Sequence, residues 1–112
     1  MIKLNHKNLN VYKSSIELVG EVYKLSESFP SSEKFGLTSQ IRRTSVSVPS
    51  YIAEGSARST DTERKRFLQI ARSSLVEVDT QIEIALKLKY LKESDLEILS
   101  DVSNQVFAML SK

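Results

Sequence analysis

Two groups of side chains in this sequence could do chemistry: the hydroxyls of Ser45, Ser47 and Ser50, and the cations Arg42, Arg43, Arg58, Lys65, Arg66 and Arg72. A serine becomes a nucleophile only beside a base that takes its proton. The single histidine, His6, stands in the polar start of the chain, and no histidine or lysine lies at a helical offset that would reach those hydroxyls. The carboxylate pairs Glu77/Asp79 and Glu93/Asp95 are two residues apart, so on helices they face different directions and form no acid–base dyad. With one histidine and no cysteine, thiolate chemistry, cysteine-based metal sites and a His-based metal cluster within one protomer are excluded. The expectation is a protein without catalytic residues, metal or cofactor, and not an enzyme.

The cations point elsewhere. Residues 42–72 hold seven Lys/Arg against three Asp/Glu, whereas residues 73–112 hold four against seven. A middle charge of +4 beside a C-terminal charge of −3 can steer an anionic partner, or complement an acidic surface on a neighbouring subunit. Arg43, Ser47, Ser50, Glu54 and Arg58 recur at helical spacing, which makes one polar stripe. Two readings of its arginines follow: ion pairing on a helix surface, for instance Glu54 with Arg58, or binding of phosphate or a partner.

The elements that must position these groups are helices. Leu37, Ile41, Val48 and Ile52 share one face, the core stripe of a helix over about 36–58. Val46, Pro49, Ala53 and Ala57 lie on another side, where small side chains would admit a neighbouring helix; with Tyr51, the residues Val46, Pro49 and Ala53 are the candidate oligomer interface. Pro49 removes one helical hydrogen bond and crowds the carbonyl of Ser45, so a kink or break is expected there. The nearby serine hydroxyls are expected to satisfy part of what it frees.

A first helix is expected over about 8–28. It carries two adjacent apolar stripes, Leu9/Tyr12/Ile16/Val19/Tyr23 and Val11/Leu18/Val22/Leu25/Phe29, more than a single core needs. Phe29-Pro30 ends it. Thr60 with Glu63 has capping-box spacing and opens a third helix over about 61–89, buried through Phe67, Leu68, Ala71, Leu75, Val78, Ile82, Ala85 and Leu86. Ser94 with Glu97 repeats that spacing before a fourth helix over about 94–110, whose seam is Leu96, Leu99, Ser103, Val106 and Leu110. Short connections make successive helices antiparallel, so residues 1–112 are expected to form one all-α domain, an up-down-up-down four-helix bundle.

A composition of 40% hydrophobic and 27% charged residues suits such a bundle and argues against disorder. No stretch approaches the roughly 18 apolar residues of a membrane span, and the start lacks an apolar signal core, so no membrane partner and a cytoplasmic location are expected.

The run QIRRTSVSVPSYIAEGSAR, with EKFGLTSQ before it and RFLQIARSSLVEVDTQIEIALKLKYL after it, resembles a bacterial family of four-helix bundle proteins. These are encoded by intervening sequences within 23S (large-subunit) ribosomal RNA genes and are sometimes called ribosomal-protein-like; the accessory variability protein of diversity-generating retroelements is a relative. The resemblance spans about Leu9 to Leu110. It implies a protomer that assembles into a homopentameric barrel with no established enzymatic activity. It also implies contact with nucleic acid through basic surface, at positions that match Arg42, Arg43 and Arg58 here and, less closely, Arg72. Tyr51 stands where the family usually has Asn, and Ser73 where it often has Gly.

Two functions are therefore expected to compete. In the first, an oligomer binds RNA or DNA, without sequence preference, through Arg42, Arg43, Arg58, Lys65, Arg66 and Arg72. In the second, a symmetric scaffold binds a protein partner without nucleic acid, and Tyr12, Tyr23 or Tyr51 is buried against another chain.

Overall fold

The computed structural model describes residues 1–112 and contains four α-helices and no strand: α1 (Asn10–Ser26), α2 (Leu37–Ser56), α3 (Asp61–Lys87) and α4 (Glu97–Leu110). Single 3-10 turns precede α1 at Asn5–Asn8, α2 at Ser31–Glu33 and α4 at Glu93–Asp95. The helices contact one another in the cyclic order α1, α2, α3, α4 and back to α1. Side-chain contacts fix their directions. Arg42 of α2 reaches Tyr23 and Ser26 near the end of α1, and Arg72 of α3 reaches Ser111 just beyond the end of α4. Neighbours thus run antiparallel, and the 27 residues of α3 set the long dimension of a 44 × 25 × 24 Å body.

The second apolar stripe of α1 supplies the core. Leu18 and Val22 are 0% and 1% exposed, and they join Ile41, Val48, Ile52, Leu75, Val78 and Val106 in one cluster. The first stripe is left largely outside, with Leu9, Ile16 and Tyr23 between 41% and 48% exposed. Burial of a large aliphatic side chain contributes roughly 1.5–3 kcal/mol, so the stripe with more contacts across the bundle faces inward.

The α2–α3 seam is tight because its residues are small. A Cβ on Gly55 would lie 3.0 Å from the Phe67 Cβ and 3.4 Å from the Arg64 carbonyl oxygen. Ala71, Ser74 and Ala85 on α3 are buried as well. The α3–α4 seam is looser: Leu75, Ile82, Leu86, Leu96, Leu99 and Phe107 stand between the two helices and hold them apart.

Helix α2 runs through Pro49 as a single element. The serine hydroxyls do not turn to the Ser45 carbonyl that proline leaves without its donor. Ser45 donates to Arg42 O (2.8 Å), Ser47 to Thr44 O (2.6 Å) and Ser50 to Val46 O (2.9 Å). Each hydroxyl binds the carbonyl three or four residues behind it, the contact its own rotamer reaches.

Both expected caps are modified. At α3, Thr60 Oγ1 accepts from the Glu63 backbone N–H at 3.2 Å, half of a capping box. At α4, Ser94 and Glu97 form no cap. Asp95 Oδ2 instead accepts from the Lys92 N–H at 3.0 Å, which holds a 3-10 turn and delays α4 to Glu97. The end of α3 is a Schellman turn: the Tyr90 N–H donates to Ala85 O at 2.9 Å, and Lys89 takes φ 64° in the left-handed region.

Candidate nucleic-acid interface

The six candidate cations divide into two sets. Arg42 is half-buried and bound to α1: its Nε donates to Ser26 Oγ at 2.8 Å and its Nη2 to Tyr23 O at 3.2 Å, with the guanidinium 4.7 Å from the Tyr23 ring. Arg72 ties α3 to α4 through Ser111 Oγ (2.9 Å) and lies 4.4 Å from the Phe107 ring. These two join helices within one protomer.

Arg43, Arg58, Lys65 and Arg66 are exposed. Arg58 lies just past the end of α2, and Lys65 and Arg66 are in the first turns of α3, so all three stand about the α2–α3 elbow; Arg43 lies further along α2. The Glu54–Arg58 ion pair does not form. The one ion pair in the chain joins Arg64 to Asp61 at 2.8 Å, and Arg58 lies instead 4.6 Å over the Phe67 ring. Its guanidinium keeps its hydrogen-bond donors unspent on the chain. The connection between helices is short, with only residues 57–60 between Ser56 and Asp61, so the cations of the two helix ends stay close together.

The four candidate interface residues do not share one surface. Val46 is 40% exposed. Pro49 is buried within the protomer and is removed from any outer surface. Ala53 is half-buried beside the N-terminal turn, with Leu4, His6 and Leu9 around the same depression. Tyr51 turns toward α3, its ring 6.2 Å from Phe67. The small side chains of α2 therefore admit this chain's own N-terminal turn, which is the close approach their size allows.

Sequence reasoning missed one polar link. Glu33, in the turn before α2, accepts from the Leu37 backbone N–H (3.1 Å) through Oε1 and from the Tyr90 hydroxyl (2.8 Å) through Oε2. The amide and then the hydroxyl hold the Glu33 carboxyl below its usual range. The same bond, with burial and the carboxylate charge, pushes the Tyr90 hydroxyl up. The Tyr90 ring packs 5.6 Å from Phe29, so the link binds both inter-helix connections at that end of the bundle.

An antiparallel bundle of four helices with a basic elbow defines a class of small helical proteins, and the sequence narrows it further. The family pattern of the 23S rRNA-intervening sequence protein matches residues 7–112, and the chain belongs to that family. Its fold is similar to the crystal structure of a protein of unknown function from the S23 ribosomal protein family of Bacteroides thetaiotaomicron VPI-5482. The TM-score is 0.80 at 20% identity, over 89% of this chain and 94% of that one. Among curated proteins none matches the chain. No helix is long and apolar enough to cross a membrane.

Proposed function

We propose that this protein is a non-enzymatic, cytoplasmic homo-oligomer that binds RNA without sequence preference, through phosphates, at the α2–α3 elbow. The observation that carries the reading is the set of exposed cations Arg58, Lys65 and Arg66 at the elbow, with Arg43 further along α2, none of which is neutralised by an ion pair in the chain. Arg42 and Arg72 act mainly by holding α2 to α1 and α3 to α4. A ring of five copies, as the family likeness suggests, repeats the elbow and raises the effective concentration of cation at a polyanion. The exposed stripe Leu9, Ile16 and Tyr23 is apolar surface that such assembly would cover, together with Val46. A bend at Pro49, which proline inside a helix favours, would then set the slope of α2 within the ring.

The test is a titration of labelled duplex RNA with the purified protein at rising salt, alongside light scattering. Tight binding at low salt that weakens steeply as counterions are released, from a particle five times the 12.7 kDa chain, is the expected result. RNA left unbound at low salt rejects the reading and turns attention to a protein scaffold; a stable monomer rejects the assembly.

A further inference from the structure

The other side of α3 carries the opposite chemistry. Between α3 and α4 runs a groove of about 420 Å³, lined by apolar side chains that include Ile82, Leu86, Leu96, Leu99 and Phe107. Along its α3 rim stand Asp79 and Glu83, one helical turn apart, exposed and free of any ion pair; Ser100 and Asn104 form the α4 rim. We propose that this groove is a docking site for a basic amphipathic helix of a partner protein, whose apolar side chains enter between α3 and α4 while Lys or Arg residues meet Asp79 and Glu83.

Shape, length and charge each narrow the occupant. The groove is partly open to solvent and lined by residues spread over three turns of α3 and by α4, an elongated shape that suits a helix. From Leu75 to Leu86 it follows α3 for about 16 Å at 1.5 Å per residue, which is three turns of a helix laid beside it. A helix of that length presents anchors at i, i+4, i+7 and i+11, the pattern of helix-in-groove recognition. The chain has no sheet edge that an extended peptide could join. The carboxylates of the rim repel nucleic acid and anionic lipid and attract a cationic helix.

A second copy of this chain fits less well. Its α1 stripe, Leu9/Tyr12/Ile16/Val19/Tyr23, has large anchors, but Lys13 and Lys24 beside it are matched by Glu17 and Glu21, so it brings no net positive charge to Asp79 and Glu83. The outward side of α2 offers Val46 among polar side chains such as Arg43, Ser50 and Glu54. Neither combines a run of large anchors with a net positive charge.

The absence of native cysteine makes the site easy to probe. Ser100→Cys in the full chain, labelled with an environment-sensitive fluorophore, is titrated with a synthetic 16-residue helix that carries leucines at i, i+4, i+7 and i+11 and lysines beside them. A saturable blue shift is expected. The double variant Asp79→Lys/Glu83→Lys, whose melting temperature should be unchanged because both sites are exposed, is expected to weaken binding at least tenfold. A peptide with glutamates in place of the lysines should give no shift. No saturable shift, or equal binding to the charge-reversed variant, overturns the proposal. So does a probe that is already shifted without peptide in a protein-concentration-dependent way, since a second copy would then hold the groove. RNA binding at the elbow is measured separately, so either result leaves that reading to its own test.

Discussion

Helix α3 has two seams, and they differ in spacing and in charge. Toward α2 it brings Phe67 and Leu68 against Gly55, where an added Cβ would meet the Phe67 Cβ at 3.0 Å, and Ala71, Ser74 and Ala85 are buried along the same helix. Toward α4 it presents Leu75, Ile82 and Leu86 against Leu96, Leu99 and Phe107, and the space between them stays open. The charges follow the same division. The elbow joining α2 to α3 holds Arg58, Lys65 and Arg66 outside any ion pair, with Glu54, Asp61 and Glu63 nearby, while the groove is rimmed by Asp79 and Glu83. Side-chain size decides whether a seam closes, and the charge beside it decides which kind of partner can approach.

The sharpest way to break this comparison is to hollow each seam. Ile52 of α2 is fully buried, and Ile52→Ala should cost about 3 kcal/mol, with a fall in the urea midpoint. Leu96→Ala on the half-buried groove wall removes a side chain that already touches open space, and about 1 kcal/mol is expected. Equal losses in urea unfolding would mean that the groove is packed as tightly as the other seam.

Charge comes next. Removing three cations of the elbow together, Arg58→Ala/Lys65→Ala/Arg66→Ala, should weaken RNA binding more than tenfold at low salt. It should also flatten the log–log salt dependence by about three, near one unit for each lost phosphate contact. Asp79→Lys/Glu83→Lys on the groove rim should leave RNA binding intact or improve it. If the triple variant binds RNA as tightly as the native chain, the basic elbow is not the site.

A smaller effect separates the two sets of arginines. Arg42→Ala loses two hydrogen bonds and the contact with Tyr23, so about 1–2 kcal/mol of stability should go while RNA binding changes little. Arg58→Ala should behave in reverse: exposed and over one ring, it contributes roughly 0.5–1 kcal/mol to folding but supplies a cation to RNA. Thermal melts and RNA titrations on the two variants give a crossed pattern if the division is right and parallel losses if it is not.

Much of this bundle could be read from spacing alone, since the period of Leu18, Val22, Ile41, Val48, Ile52, Leu75 and Val78 marks their buried faces. What spacing left open was which of two apolar stripes on α1 turns inward, because both satisfy the same period and only contacts with three other helices choose between them. Spacing puts the start of α4 near residue 94, but Asp95 captures the Lys92 amide and makes a 3-10 turn there, and the helix begins at Glu97. Pro49 shares a helical side with Val46 and Ala53 by spacing, yet it sits far enough round the helix to be buried. The basic set was legible as composition, but its division was not. Whether an arginine is free or bound depends on rings that lie far along the chain, as with Arg72 and Phe107. The groove was illegible for the same reason, since its width depends on side chains from two helices at once.

The smallest expected effect concerns the end of the bundle where the link between Glu33 and Tyr90 joins the turn before α2 to the turn after α3. The carboxyl of Glu33 is held below its ordinary 4.5, so the charged form is favoured by folding. That contribution is present above the unfolded value and is lost as pH falls through the lower folded one. The hydroxyl of Tyr90 is held above its ordinary 10.0, so its contribution is complete below that value and is lost as pH rises through the higher folded one. The stabilisation should therefore form a plateau, from the weakly acid range to about pH 10, that declines on both sides. Tyr90→Phe removes the hydroxyl and keeps the ring against Phe29, so its melting temperature should lie below the native one across the plateau and approach it toward both ends. Because the link lies away from both the elbow and the groove rim, the same variant should leave RNA affinity and peptide docking unchanged. A melting difference that stayed constant with pH would assign the contribution of Tyr90 to its ring packing and leave the bond to Glu33 without a measurable share.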